Sequence, residues 1–141
     1  MKIVLDTNVL VSGLLTPYGS SGEIMRMVSS GQLTLCYDAR ILAEYRDVLL
    51  RPRFRFNKDN VASLLDYIQH AGLLHTTRPL PEPLPDEDDE PFLEVALAAK
   101  VCCLVTGNRD HFPQTHVRKI RILSPTEFLQ YFRREQGGAA D

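Results

Sequence analysis

No stretch of the 141-residue sequence is long and apolar enough to span a membrane, and the N-terminal apolar run meets an Asp too soon for a signal peptide. Cysteine is scarce: Cys36, Cys102 and Cys103 are odd in number and lack the paired spacing of zinc ligands. They lie in apolar, strand-like runs, so they read as buried free thiols of a protein kept in a reducing, cytoplasmic setting. Internal repeats are missing, as are a phosphate-cradling glycine loop and a nucleophilic Ser–His pair. Strong net charge is absent too, since 16 Lys and Arg against 18 Asp and Glu leave −2. That balance argues against a strongly basic, non-specific nucleic-acid binder, but it leaves room for basic residues gathered on one face.

What is present is a composition of 44% hydrophobic and 24% charged residues, that of a single soluble domain with one core. Residues 1–135 are expected to form that domain, and residues 136–141 a flexible tail. Lys2-Ile3-Val4-Leu5 is a short apolar run of buried-strand type that ends abruptly in Asp6-Thr7-Asn8. Helical patterns follow. Ser20 and Glu23 have the spacing of a capping box, and Asp38 can cap a helix over residues 39 to 50. Asn57 or Asp59 opens another helix, and residues 73–77 suggest a short strand. Prolines at 79, 81, 83 and 85 enforce extended backbone. An acidic stretch over residues 86–90 precedes Pro91 and a further helix. Residues 101–106 form a second central-type strand ending in Gly107-Asn108-Arg109-Asp110, and residues 121–123 form a last one. Ser124, Pro125 and Glu127 start the final helix with a capping box. Strands alternating with helices predict an α/β fold, a three-layer α/β/α sandwich around a parallel sheet.

In such a sheet the ligand site lies beyond the carboxyl ends of the strands, where Asp6 and residues 107–110 stand. A helix returning antiparallel to the strands begins at the same edge, which brings in Asp89. Asp6-Thr7-Asn8 also has a plainer reading, as a helix cap. Asp86 and Asp88 read first as helix N-terminal charges favoured by the dipole. Carboxylates sharing one cleft repel each other, and Mg²⁺ or Mn²⁺ with oxygen ligands relieves that repulsion. Such a metal suits hydrolysis of a phosphodiester.

Four segments carry a resemblance that covers nearly the whole chain: Val4-Leu5-Asp6-Thr7-Asn8-Val9-Leu10, Ile41-Leu42-Ala43-Glu44-Tyr45, residues 86–93, and Leu104-Val105-Thr106-Gly107-Asn108-Arg109-Asp110. In this order they resemble the PIN-domain ribonucleases, and among them the toxin-like PIN proteins of type II toxin–antitoxin systems. The resemblance implies a metal-dependent endoribonuclease directed at single-stranded RNA, a small antitoxin protein as partner, and a homodimer. It implies Asp6, Glu44 and Asp89 as ligands of Mg²⁺ or Mn²⁺. Where the family often has Thr-Gly-Asp, this chain has Asn108, a neutral oxygen; Asp110 lies two residues on and could supply charge. Thr7 and Asn8 would orient Asp6 or a water. Glu44 has the alternative of a solvated helix charge.

Arg51, Arg53 and Arg55 alternate with Phe54 and Phe56, a pattern that can hold a phosphate backbone and stack on bases. The plainer reading puts both phenylalanines in the core and the arginines on a solvated rim. Arg109, His111, His116, Arg118 and Lys119 flank the proposed site and could meet RNA phosphates or an acidic partner; a lone histidine such as His111 is more often structural. Two other readings stand beside the nuclease. One is a catalytically degenerate RNA- or protein-binding module, motivated by Asn108. The other is a haloacid-dehalogenase-type phosphatase with Asp6 as nucleophile, against which Asn8 counts, because that chemistry wants a carboxylate there.

Overall fold

The computed structural model describes residues 1–113 and 120–138. Five strands, β1 (Lys2–Leu5), β2 (Thr34–Tyr37), β3 (Leu73–Leu74), β4 (Cys103–Val105) and β5 (Arg121–Leu123), form one parallel sheet in the order β3-β2-β1-β4-β5. Ile3, Val4, Leu5, Cys103, Leu104 and Val105 are fully buried, which is why β1 and β4 read as unbroken apolar runs. Six helices complete the three-layer α/β sandwich: α1 (Thr7–Leu15), α2 (Ser20–Ser29), α3 (Ala39–Leu49), α4 (Lys58–Ala71), α5 (Glu90–Ala99) and α6 (Pro125–Gly138). Helices α1, α2 and α6 pack in sequence against one another, as do α4, α3 and α5; α5 lies on β1, β2 and β4, and α6 on β4 and β5.

Each helix buries the stripe its spacing implies. Ile41, Leu42, Tyr45 and Leu49 of α3 enter the core, and so do Val61, Leu65 and Ile68 of α4. Asp38 caps α3 by accepting the Ile41 N–H at 3.0 Å, and Asn57 caps α4 by accepting from Asp59 and Asn60. Arg40 joins two buried acids, Asp38 at 2.7 Å and Glu94 at 2.8 Å, and so ties the start of α3 to α5. Ser124 and Glu127 close the expected capping box at α6.

The box expected from Ser20 and Glu23 does not form. Gly19 takes the cap position of α2 without a side-chain bond, Ser20 Oγ lies 3.1 Å from Thr126 Oγ1, and Glu23 pairs with Arg133 of α6. Long-range partners outcompeted the local cap. Helix α6 continues through Gly138, so residues 136–138 of the expected tail are helical, and residues 139–141 lie outside the described residues. Residues 73–77 contribute only the two-residue edge strand β3.

Candidate active site

The register of the sheet builds the site. Leu5 pairs with Val105, so β1 and β4 end level with each other. The Asp6 N–H donates to Val105 O at 2.9 Å, and the Thr106 N–H to Leu123 O at 2.9 Å. The next residues of both strands, Asp6 and Thr106, therefore emerge side by side at one edge. Thr106 Oγ1 donates to Asp6 Oδ2 at 2.7 Å and accepts the Asn108 N–H at 3.0 Å. Asp6 Oδ1 accepts the Thr7 N–H at 2.8 Å, so Asp6 is both the cap of α1 and a site residue. Asn8 bridges the two strand ends by accepting the Gly107 N–H at 3.0 Å, with its Nδ2 3.4 Å from Asp6 Oδ2.

Glu44 comes from the middle of α3, where the sequence left its reach open. The Thr7 hydroxyl donates to Glu44 Oε2, bringing that carboxylate beside Asp6. Behind both, the fully buried Tyr45 donates its hydroxyl to Leu5 O at 2.5 Å and anchors α3 to the end of β1. Asp89 closes the turn Glu87–Asp89 at the head of α5 and is buried. His111 Nδ1 sits 3.1 Å from Asp89 Oδ2, near enough for an ion pair once protonated. Among the described residues that buried oxygen nevertheless accepts no hydrogen bond.

These side chains line one cleft of about 510 Å³ that includes Asp6, Thr7, Asn8, Glu44, Asp86, Asp88, Asp89, Asn108 and His111, with Arg51, Arg53 and Phe54 on its wall. Asp86 also caps the Glu87–Asp89 turn, accepting the Asp88 N–H at 2.9 Å, while it lines the cleft.

Crowding and burial disturb the acids in one direction. Burial pushes the Asp6 carboxyl up, against the opposing pull of Thr106, Thr7 and His111. Burial also raises Glu44, with Asp6 and Asp88 adding repulsion and Thr7 opposing it. Asp89 rises furthest, from 3.8 to about 6, first through burial and then through the charge of Asp6, with His111 pulling the other way. All three therefore keep a proton to higher pH than exposed carboxylates do. Among the described residues no three Asp, Glu, His or Cys side chains form a group that could hold a metal ion as they stand. A Mg²⁺-type site does not require three, since that ion keeps several waters and takes one or two carboxylates. The hard oxygen donors, with Asp89 Oδ2 accepting no hydrogen bond among the described residues, fit such a cation.

Not every expected residue reaches this cleft. Residues Arg109–His111 form a 3₁₀ turn, with three residues per turn, so Asn108 and His111 share a side while Asp110 is rotated away. Asp110 and Arg109 line a separate hollow with Phe112, Pro113 and Ile122, and Arg109 is paired with Glu127 at 2.9 Å. Arg51 reaches the cleft wall while pairing with Asp47 at 3.2 Å. His116, Arg118 and Lys119 lie outside the described residues. Thr106 is the residue that sequence reasoning passed over; its signal was its position at the end of a second central-type strand, matching that of Asp6.

The PIN domain family matches residues 2–110, and the chain belongs to it. An uncharacterized protein of Methanocaldococcus jannaschii is 25% identical over 143 residues, covering 94% of this chain and 92% of its own length. Among solved structures, VapBC2 from Rickettsia felis bound to a DNA fragment from its promoter is similar in fold. It has a TM-score of 0.59 and 17% identity, covering 88% of this chain and 98% of its own. FitAcB from Neisseria gonorrhoeae gives 0.57 and 18%, with the same coverage. No helix of the described residues is long and apolar enough to cross a membrane.

Proposed function

We propose that the chain is an endoribonuclease that cleaves single-stranded RNA with Mg²⁺ or Mn²⁺. The observation that carries this is the single cleft lined by Asp6, Glu44 and Asp89, where one buried oxygen of Asp89 accepts no hydrogen bond among the described residues and faces His111 Nδ1 at 3.1 Å. Asp6, Glu44 and Asp89 would hold the cation, which when bound supplies an activated water and charge stabilisation on a phosphodiester.

The chain's own residues prepare that site. Thr106 and the Thr7 N–H fix the rotamer of Asp6, and the Thr7 hydroxyl turns Glu44 toward it. Asn108 offers a neutral oxygen at the fourth corner, so the site carries one negative charge fewer than with Asp in that position. Arg51 and Arg53 on the wall would meet substrate phosphates through their planar guanidinium groups. A small antitoxin protein as partner, and a homodimer, follow from the toxin-like motifs; similarity in fold to VapBC2 and FitAcB supports the toxin assignment.

The test is cleavage of a labelled single-stranded RNA in Mg²⁺, in EDTA, and by Asp6→Asn. The reading requires cleavage in Mg²⁺ that EDTA abolishes and a fall of at least about 100-fold in the variant, a loss of ~3 kcal/mol of transition-state stabilisation. Asn108 favours a second reading, a binding module without turnover, and tight RNA binding with no metal-stimulated cleavage would select it.

A further inference from the structure

We propose that Arg53 and Phe54 form a nucleobase platform on the wall of the carboxylate cleft, where a base of the single strand stacks beside the phosphodiester to be cut. This rests on the nuclease reading above and adds a substrate subsite to it.

The two phenylalanines of the Pro52–Phe54 turn and its exit have separated roles. Phe56 packs partly buried against the hydrophobic core, whereas Phe54 is half-buried and lines the cleft together with Asp6, Glu44 and Asp89. Phe54 is not free to move as an ordinary surface ring would be. It stacks on Phe56 with centroids 5.5 Å apart and planes at 12°, and the Arg53 guanidinium lies 4.7 Å from its centroid. Between the rings, Arg55 adopts a left-handed backbone with φ 55°, a conformation that side-chain-bearing residues avoid and that turns the chain back. The result is a flat, cationic and aromatic stack anchored through Phe56 to the core.

Such a stack fits a nucleotide in both its parts. A base has a π-face for the ring or for the guanidinium plane, and the positive charge answers the phosphate beside it. It fits an acidic peptide poorly. A peptide carboxylate makes no use of the ring face.

The experiment uses the full chain and short single-stranded RNAs carrying 2-aminopurine at successive positions. Binding is read by fluorescence quenching, and cleavage of the same RNAs in Mg²⁺ is followed in parallel. At one position the wild type should quench the probe. Phe54→Leu should remove that quenching and weaken binding about tenfold, and Phe54→Tyr should restore both. Arg53→Lys keeps the charge but should lose part of the quenching, because a lysine presents no plane. Far-UV circular dichroism checks that each variant is folded.

Cleavage without quenching at any position, or quenching unchanged in Phe54→Leu, would overturn the platform and leave the nuclease reading standing. Quenching that depends on Phe54 without any cleavage would keep the platform and remove the nuclease reading. If Phe54→Leu instead weakens binding of an acidic peptide while RNA binding is unaltered, the surface serves a protein partner and the platform is wrong.

Discussion

Thr106 donates its hydroxyl to Asp6 Oδ2 at 2.7 Å, joining two residues one hundred positions apart at the level ends of neighbouring parallel strands. Its oxygen also accepts the Asn108 N–H, so one hydroxyl orients both a proposed ligand and the loop of the fourth corner. Replacement of Thr106 by Val keeps the shape and removes both bonds. Groups that orient metal ligands are commonly worth 10- to 100-fold in metal affinity or activity. Thr106→Val is therefore expected to weaken Mg²⁺ binding by about that factor, measured by isothermal titration calorimetry, and to lower stability by about 1–3 kcal/mol in urea unfolding.

The titration of Asp89 sets a pH dependence with a definite sign. Its folded carboxyl titrates near 6, above the ordinary 3.8, so the folded chain holds this proton more tightly than the unfolded chain. The resulting stability is complete below the unfolded value and is lost as pH rises through about 6. Asp6 and Glu44 are shifted in the same direction. In EDTA the protein should melt at a higher temperature at pH 5 than at pH 8, as measured by differential scanning calorimetry. Asp89→Asn should narrow that gap by raising the melting temperature at pH 8. A site that sacrifices stability for function behaves in this way.

Asn108 permits the reverse experiment. Asn108→Asp would add a carboxylate to a cleft already lined by five. Mutual repulsion should lower the melting temperature of the metal-free protein at pH 8, and added Mg²⁺ should raise it further than in the wild type. Thermal unfolding with and without Mg²⁺ reads both effects. A variant unaffected in EDTA would place residue 108 outside the electrostatic reach of Asp6 and Asp89.

Tyr45 links the site to the core. It is fully buried, and its hydroxyl satisfies Leu5 O immediately before Asp6. Tyr45→Phe leaves that carbonyl without its donor and is expected to cost about 1–2 kcal/mol, near 3 °C in melting temperature for a domain of this size. Chemical denaturation measures it.

The apolar runs of β1 and β4 were legible because both strands are buried on both faces, and the polar residues ending them stand at one edge of the sheet. Asp6, Glu44, Asp89 and Asn108 line one cleft in the structure. The Thr106 contact was not legible, because it depends on the Leu5–Val105 register between segments far apart in the chain. Nor could spacing reveal that Asp110 turns aside, since that follows from the Arg109–His111 segment winding as a 3₁₀ turn. At Ser20 and Glu23 a correct local pattern lost to partners on α6, Thr126 and Arg133. Local signals found the strands, the caps and the acids; register and tertiary competition decided which of them meet.

The central claim is that Asp6, Glu44 and Asp89 together hold a divalent cation. Electron paramagnetic resonance measures it directly, because bound Mn²⁺ disappears from the signal of the free ion. Titration of Mn²⁺ into the wild type at pH 8 should show saturable binding that Mg²⁺ displaces, with affinity at least about tenfold weaker in Asp6→Asn and in Asp89→Asn. Equal Mn²⁺ binding by the wild type and both folded variants would contradict the account.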